Sequence, residues 1–280
     1  MEHLEGDYFI KNNHLLPAAV FDPYLMTAGQ SAYEVVRIIN DVPLFMEDHL
    51  ERFKQSAAII NRQFFISVDE ILQQMQTLIG FSSGLEGNIK LVLQYDDKTS
   101  NSDQNFYAFY IESQYPHPDV YLRGVDTITY QAVRSNPNAK IADLGLRDRV
   151  NREIEKQQVF EALLLDNEGY ITEGSRSNIF MIKDDCIFTA PLHQVLPGIT
   201  RCKVLDIICR QKCRLEEKQL RPADLAKMDA VFLTGTSPKV MPIRRVDDMV
   251  FVSASNPLLM EIMRQYDRSV TDYIAAYPSI

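Results

Sequence analysis

Residues 161–178 read EALLLDNEGYITEGSRSN, and the fold turns on how that stretch is read. It opens on Ala162-Leu163-Leu164-Leu165, an apolar run short enough for a buried strand. Asp166-Asn167-Glu168-Gly169 supplies turn residues and Tyr170-Ile171-Thr172 begins a second strand, which together predict a hairpin. Glu173-Gly174-Ser175-Arg176-Ser177-Asn178 follows, and then a third run, Ile179-Phe180-Met181-Ile182. A carboxylate and a small, hydroxyl-rich turn therefore stand between strands that want to be buried. A buried carboxylate is costly unless a cation partners it, so Glu173 is either paired or exposed. On local pattern alone, a surface turn with a solvated glutamate is the favoured reading.

Towards the N-terminus, Asn12-Asn13 lies between Tyr8-Phe9-Ile10 and Leu15-Leu16 and signals a hairpin. Asn40-Asp41 signals another, between residues 33–39 and 42–45. Met46, Leu50, Phe53, Ala57 and Ile60 recur at spacings of four, three, four and three, an amphipathic helix with Glu47 and Asp48 in its first turn. Ser67-Val68-Asp69-Glu70 forms a capping box for a second helix carrying Ile71, Met75, Leu78 and Ile79. Strands at 89–95 and 106–111 enclose a polar loop at 96–105, which reads as mobile. Ser113-Gln114-Tyr115-Pro116-His117-Pro118-Asp119 has two prolines and no periodicity, so it reads as a linker. It separates a smaller α+β domain, residues 1–115, from a larger one, residues 120–280. The larger one alternates strands with helices at 147–158, 200–213 and 256–276, and adds a buried strand at 229–234 ending at Gly235.

The 280 residues are 46% hydrophobic and 24% charged, the make-up of an ordinary globular protein with ample core. A formal net charge of −9 opposes a nucleic-acid partner. No apolar run is long enough to cross a membrane and no secretory signal opens the chain, so a cytoplasmic protein is expected. Cys186, Cys202, Cys209 and Cys213 show no C-x-x-C spacing. They read as small buried hydrophobes in a reducing compartment, with no metal site.

Three stretches beside residues 161–178 change the reading of Glu173: Asn138-Ala139-Lys140, Leu196-Pro197-Gly198-Ile199-Thr200-Arg201, and Val231-Phe232-Leu233-Thr234-Gly235-Thr236. A fourth piece, His49 with Arg52, lies upstream. In order and spacing they resemble the fold-type IV pyridoxal-phosphate enzymes, the class IV aminotransferase family. That family includes the branched-chain and D-amino-acid aminotransferases and aminodeoxychorismate lyase. The likeness runs over nearly the whole chain and is strongest between Glu161 and Pro242. It implies a mixed α and β fold, two α/β (α+β) domains of the D-amino-acid aminotransferase type with the cofactor site between them. It also implies a homodimer with the active site near the subunit interface.

The resemblance assigns roles residue by residue. Lys140, 21 residues before Glu161, stands at the family's interval for the lysine that bonds pyridoxal 5'-phosphate. Glu173 corresponds to the acid against the pyridine nitrogen, which holds the ring protonated so that it accepts electrons. Ile199 and Thr200, at a helix start after Pro197-Gly198, correspond to the phosphate cradle, where free backbone N–H groups and the helix dipole favour anions. Thr236 and Arg52 correspond to two more phosphate contacts, and Ser177 lies in the turn after Glu173. Tyr33, Ser237 and Arg176 are candidates for the substrate side, with Arg37 and Arg134 as further carboxylate binders.

Four departures accompany the likeness. Asp143 stands where the family usually has asparagine, and turned onto Lys140 it would favour the ammonium. Ala28-Gly29-Gln30-Ser31 replaces a Gly-Asp-Gly type turn, Thr236-Ser237-Pro238-Lys239 stands where relatives often have small residues and a glutamate, and Arg176 replaces a small residue. The expected function is transfer of an amino group between an amino acid and a 2-oxo acid. Val240-Met241-Pro242-Ile243 faintly favours the lyase branch, in which the same lysine drives pyruvate elimination. The departures leave room for a non-catalytic, ligand-binding descendant, because fold alone does not establish function.

Overall fold

Asn12 and Asn13 both take left-handed backbone (φ 47° and 68°), as do Asn40 and Asp41 (φ 51° and 61°). Two consecutive left-handed residues match the twist of the flanking strands, so both pairs close tight hairpins. The computed structural model describes residues 4–22, 29–82, 84–95, 104–113 and 115–278. The polar loop expected at 96–105 lies outside them for residues 96–103, and Ala28 of the altered turn lies outside them too. The chain divides into two units: Met1–Gln114 with Ala139–Ala142 and Thr271–Ile280, and Tyr115–Asn138 with Asp143–Val270.

The first unit holds β1 (Leu4–Lys11), β2 (His14–Pro17), β3 (Gln30–Ile39), β4 (Val42–Pro43), α1 (Met46–Ile59), α2 (Val68–Phe81), β5 (Gly87–Tyr95) and β6 (Gln104–Ile111). Its strands form an antiparallel sheet in the order β2-β1-β6-β5-β3-β4. Along β3, Ala32, Glu34, Val36 and Ile38 are buried while Tyr33, Val35 and Arg37 are half-exposed, the two-residue period of a sheet with one packed face. Ala32, Val36 and Ile38 share a core with Phe53 of α1 and Ile71 and Leu78 of α2. The capping box before α2 forms as expected: Ser67 Oγ accepts from Glu70 N–H at 3.2 Å, and the Glu70 carboxylate accepts from Ser67 N–H at 2.8 Å. The segment Ala139–Ala142 joins this sheet by an isolated bridge between Ala32 and Ile141.

The second unit holds α3 (Pro118–Arg123), β7 (Val125–Gln131), α4 (Leu144–Gln157), β8 (Glu161–Leu165), β9 (Ile171–Gly174), β10 (Asn178–Lys183) and β11 (Cys186–Thr189). It continues with α5 (Ile199–Arg210), β12 (Arg214–Glu217), β13 (Ala230–Gly235), β14 (Lys239–Val246), β15 (Met249–Val250) and α6 (Pro257–Ala276), whose last residues count with the first unit. The sheet runs β12-β11-β10-β13-β14-β7-β8-β9, with β15 paired to β14. β14, β7 and β8 are mutually parallel, and α4 lies in the crossover between β7 and β8. Leu146 and Val150 of α4 pack on Ala162 and Leu164 of β8. Leu163, Ile179, Val231 and Leu233 form the main core of this unit. The strands read from residues 161–178 are thus β8, β9 and β10. Cys186 is buried as expected, but Cys202 and Cys209 are exposed on α5, whose inward face is taken by Val204, Ile207 and Ile208. Among the described residues, no helix is long and apolar enough to cross a membrane.

Candidate functional site

Glu173 ends up buried at the tip of β9, 2% exposed, so the solvated-turn alternative does not hold. Its partner is Arg134, whose Nε lies 2.9 Å from Oε1 as an ion pair. Oε2 accepts from the backbone N–H of Leu196 at 3.0 Å and from Asn178 Nδ2 at 3.4 Å. Arg134 Nη2 also donates to the carbonyl of Ser175 at 2.8 Å, which ties the following turn to the same cation. Arg134, a candidate for a substrate carboxylate on sequence grounds, is thereby engaged by Glu173. Gly174 is required by close approach: a Cβ there would fall on Ser177 Oγ and sit 3.2 Å from the Glu161 side chain. Ser177 Oγ donates to the buried Glu161 at 3.2 Å, and Ser175 Oγ bonds the same carboxylate.

The acid is wired to a helix start. Asn178 Nδ2 donates to the carbonyl of Leu196 at 2.9 Å, and a Cβ on Gly198 would collide with Asn178 Oδ1. Gly198 is the N-cap of α5 and no side chain caps that end, while Ile199 and Thr200 behind it are buried. The first N–H groups of a helix lack intrahelical partners, and a buried end without a cap calls for an acceptor from elsewhere. Arg201 does not supply one, being an arginine whose Nη2 goes to Glu217 at 2.7 Å. Nearby in register, Thr234 of β13 pairs with Asn178, and its buried hydroxyl has no hydrogen-bond partner among the described residues.

Thr236 and Ser237 occupy the half-buried turn after Gly235. A Cβ on Gly235 would lie 3.0 Å from Pro238 Cγ and 3.6 Å from the Arg176 carbonyl, so this turn abuts the one after Glu173. Arg176 itself is exposed, and its Nη2 donates to Asn151 of α4 at 2.6 Å. In the second unit, then, Glu173, Ser177, Ile199, Thr200, Thr236, Ser237 and the Arg176 backbone gather around the ends of β9, β10 and β13. Two of the departures acquire local accounts. Asp143 Oδ1 accepts from Leu146 N–H at 2.9 Å as the N-cap of α4, a position that asparagine and aspartate fill about equally well. Lys239, left-handed at φ 54°, pairs with Asp267 of α6 at 2.8 Å.

The first unit carries the other group. Arg52 is 5% exposed and meets the fully buried Glu34 twice, Nε to Oε1 at 2.8 Å and Nη2 to Oε2 at 2.6 Å. His49 Nδ1 lies 2.7 Å from the same Oε2, and burial is the main force keeping that imidazole below its usual range. A neutral ring with its proton on Nδ1 donates to the carboxylate. For Glu34 burial is the largest single influence and pushes the pKa up. The charge and hydrogen bonds of Arg52, then those of His49, outweigh it and bring the pKa from 4.5 to about 2. Because the folded value is the lower one, the stabilisation is complete above pH 4.5 and is lost as pH falls through about 2. Glu34→Gln should therefore flatten the fall of melting temperature across that acid window. At neutral pH, stripping the buried arginine of its charge partner should cost about 3–5 kcal/mol.

Lys140 is half-buried in Ala139–Ala142 and its ammonium lies 4.8 Å from the centroid of the Tyr33 ring. Lys90 of β5 approaches the same ring at 4.7 Å. The Lys140 backbone is bonded on both sides: its N–H donates to Ser56 Oγ at 3.0 Å and its carbonyl accepts from Tyr33 N–H at 2.9 Å. The sequence reading missed Ser56 and the bonds of Asn178, and it gave Arg134 to a substrate carboxylate where the structure gives it to Glu173. For Ser56 a signal existed, since His49, Arg52 and Ser56 recur at three and four residues and place a polar stripe on one face of α1. Among the described residues, no group of three or more His, Cys, Asp or Glu is placed to hold a metal ion.

Comparison with known proteins bears on these residues as a set. The chain is 28% identical over 252 residues to the D-alanine aminotransferase of Bacillus licheniformis, covering 86% of this chain and 88% of that one. Its fold is similar to that of the Escherichia coli branched-chain amino acid aminotransferase, with a TM-score of 0.85, 22% identity and 96% of both chains covered. It is equally similar to the T.th. branched-chain amino acid aminotransferase with pyridoxamine 5'-phosphate, with a TM-score of 0.85, 21% identity and 96% of both chains covered. The family described as amino-transferase class IV matches residues 31–246, a span that contains Arg52, Lys140, Glu173, Thr200 and Thr236. The chain belongs to the class IV amino-transferases, the pyridoxal 5'-phosphate-dependent family that its lysine, acid and helix-start motifs resemble.

Proposed function

We propose that this protein moves an amino group between an amino acid and a 2-oxo acid, with Lys140 as its covalent and proton-carrying residue. The observation that carries this reading is Glu173, a buried carboxylate matched by the Arg134 cation and by the loop that leads into α5. Pyridoxal 5'-phosphate fits the residues present. The uncapped, buried start of α5 and the unpartnered Thr234 hydroxyl are what a phosphate would satisfy, and Glu173 is the acid a protonated ring nitrogen requires. Bound there, the cofactor supplies an electron sink for a carbanion at the substrate's Cα. Ile199 and Thr200 would hold the phosphate with Thr236 and Arg52, and Ser177 would border the same turn. Arg134 orients Glu173 through their ion pair. Lys140 takes the proton from Cα and returns it. Tyr33, Ser237 and Arg176 are the proposed substrate-side residues.

The departures that left room for a non-catalytic descendant weigh less once Asp143 is a helix cap and Lys239 an ion-pair partner. The test is a half-reaction: purified protein loaded with pyridoxal 5'-phosphate is given single amino acids without an acceptor. An aminotransferase accumulates pyridoxamine phosphate and one equivalent of 2-oxo acid. Pyruvate released from aminodeoxychorismate without pyridoxamine phosphate would instead make it a lyase, and neither product would end the enzymatic reading. We further propose a homodimer in a reducing, cytoplasmic setting, supported by family membership and by four cysteines that form no disulfide. Sedimentation of the same sample as a monomer at micromolar concentration would sink the dimer.

A further inference from the structure

We infer that Ser56 is a positioning residue for Lys140, acting on its backbone through a hydrogen bond from α1; this rests on the reading of Lys140 given above. Ser56 is fully buried, and its hydroxyl faces one backbone group of the catalytic segment, the Lys140 N–H, at 3.0 Å. It sits four residues after Arg52 and seven after His49, on a face of α1 otherwise surrounded by Leu50, Phe53 and Ala57. A polar stripe in an apolar core is costly, and each member has a specific task. His49 and Arg52 complete the Glu34 cluster, and Ser56 meets the lysine segment.

Residues 139–142 have little regular structure of their own. They are held to β3 by the Ala32–Ile141 bridge, by the Tyr33 N–H on the Lys140 carbonyl, and by the Ala142 N–H on the Ser31 carbonyl at 3.1 Å. Those bonds all come from one side, the sheet edge. Ser56 is the bond from the helix side, and with it both peptide groups flanking the Lys140 Cα are fixed. The amine then leaves from a set origin and swings only through its side-chain torsions. A displacement of about 1 Å at a reacting group costs on the order of a hundredfold in rate, so a backbone anchor is where such a site gains. Losing the hydroxyl also leaves a peptide N–H unpaired against a buried helix face, which drives the segment to shift.

The experiment uses the cofactor-loaded enzyme, unsubstituted and as Ser56→Ala, with Ser56→Cys as a near-isosteric variant that keeps a weak acceptor. Removing one buried oxygen leaves the apolar packing of α1 in place. In Ser56→Ala, amide exchange of residues 139–142 should quicken at least tenfold while α1 and β3 keep their protection. The kcat should fall about tenfold or more with amino-acid KM within a factor of two, and Ser56→Cys should recover part of both. Unchanged kcat in Ser56→Ala overturns the inference, whether or not exchange changes. A rise in exchange spread over the whole first unit overturns it too, since the hydroxyl would then serve stability alone. Borohydride reduction of the unsubstituted enzyme followed by peptide mapping separates the two readings. A labelled lysine other than Lys140 defeats the catalytic assignment and this inference together, and label on Lys140 leaves Ser56 to be judged on its own variants.

Discussion

Replacing Lys140 with alanine is expected to abolish the visible absorbance that a lysine-linked pyridoxal cofactor gives, and to lower transamination at least about ten-thousandfold. The fold should survive. The bonds that hold the segment are made by the backbone of Lys140, to Ser56 and Tyr33, and alanine keeps both. The side chain also approaches the Tyr33 ring, a half-exposed cation–π contact worth about 0.5–1 kcal/mol. With those backbone bonds kept, the melting temperature should move by only a few degrees, which separates this loss from misfolding. Lys90 supplies the control, because its amine lies as close to the same ring, at 4.7 Å against 4.8 Å. Lys90→Ala should keep the absorbance and its susceptibility to borohydride. Full activity in Lys140→Ala would end the pyridoxal assignment of this residue. Absorbance lost in Lys90→Ala and kept in Lys140→Ala would transfer that role to Lys90.

Much of this protein is legible where the signal is local. The Asn12-Asn13 and Asn40-Asp41 turns, the Ser67–Glu70 box and the spacing of Met46, Leu50, Phe53 and Ala57 each follow from residues within one turn or one helix. The strands β8, β9 and β10 follow from apolar runs and the turn residues between them. The buried polar pairs are not legible in this way. Arg134 meets Glu173 across 39 positions and Ser56 meets Lys140 across 84, and nothing in either neighbourhood identifies the partner. Arg134 could be read as a carboxylate binder and Ser56 as part of a polar stripe, but only the fold brings the second member of each pair. Asp143 illustrates the converse. The sequence raised it as a threat to the lysine, yet helix capping is a local claim on its carboxylate, and α4 makes that claim with its Leu146 N–H. Glu161, given no role beyond its position ahead of the apolar run, proves to be the acceptor for both serines of the turn after Glu173.

Glu173→Gln is the second substitution with a large expected effect, and the geometry fixes its form. A carboxylate offers acceptor positions on both oxygens, and here each is used: Oε1 faces Arg134, while Oε2 takes the Leu196 N–H and Asn178 Nδ2. An amide has one accepting oxygen. If that oxygen keeps Leu196, the new NH2 group faces the Arg134 guanidinium; if it turns to Arg134, the NH2 group faces the Leu196 N–H. Either way two donors confront each other in a buried place, at a cost of about 1–3 kcal/mol. The melting temperature should drop by several degrees, more than for Lys140→Ala. Lys140 is untouched, so the lysine-linked absorbance and borohydride trapping should persist. The reaction should suffer, because no anion then opposes a protonated ring nitrogen and the electron sink weakens. A loss in kcat on the order of a hundred- to a thousandfold is expected, the scale seen when one preorganised electrostatic partner is removed. Stopped-flow measurement of a single half-turnover isolates that step from product release. Arg134→Met makes the complementary perturbation, removing the Arg134 cation from the buried Glu173, and should slow the same step while leaving Lys140 trapping intact. If Glu173→Gln lost its few degrees of stability yet turned over at the unsubstituted rate, the carboxylate would be a structural ion-pair partner, and the acid facing the cofactor would have to be sought elsewhere.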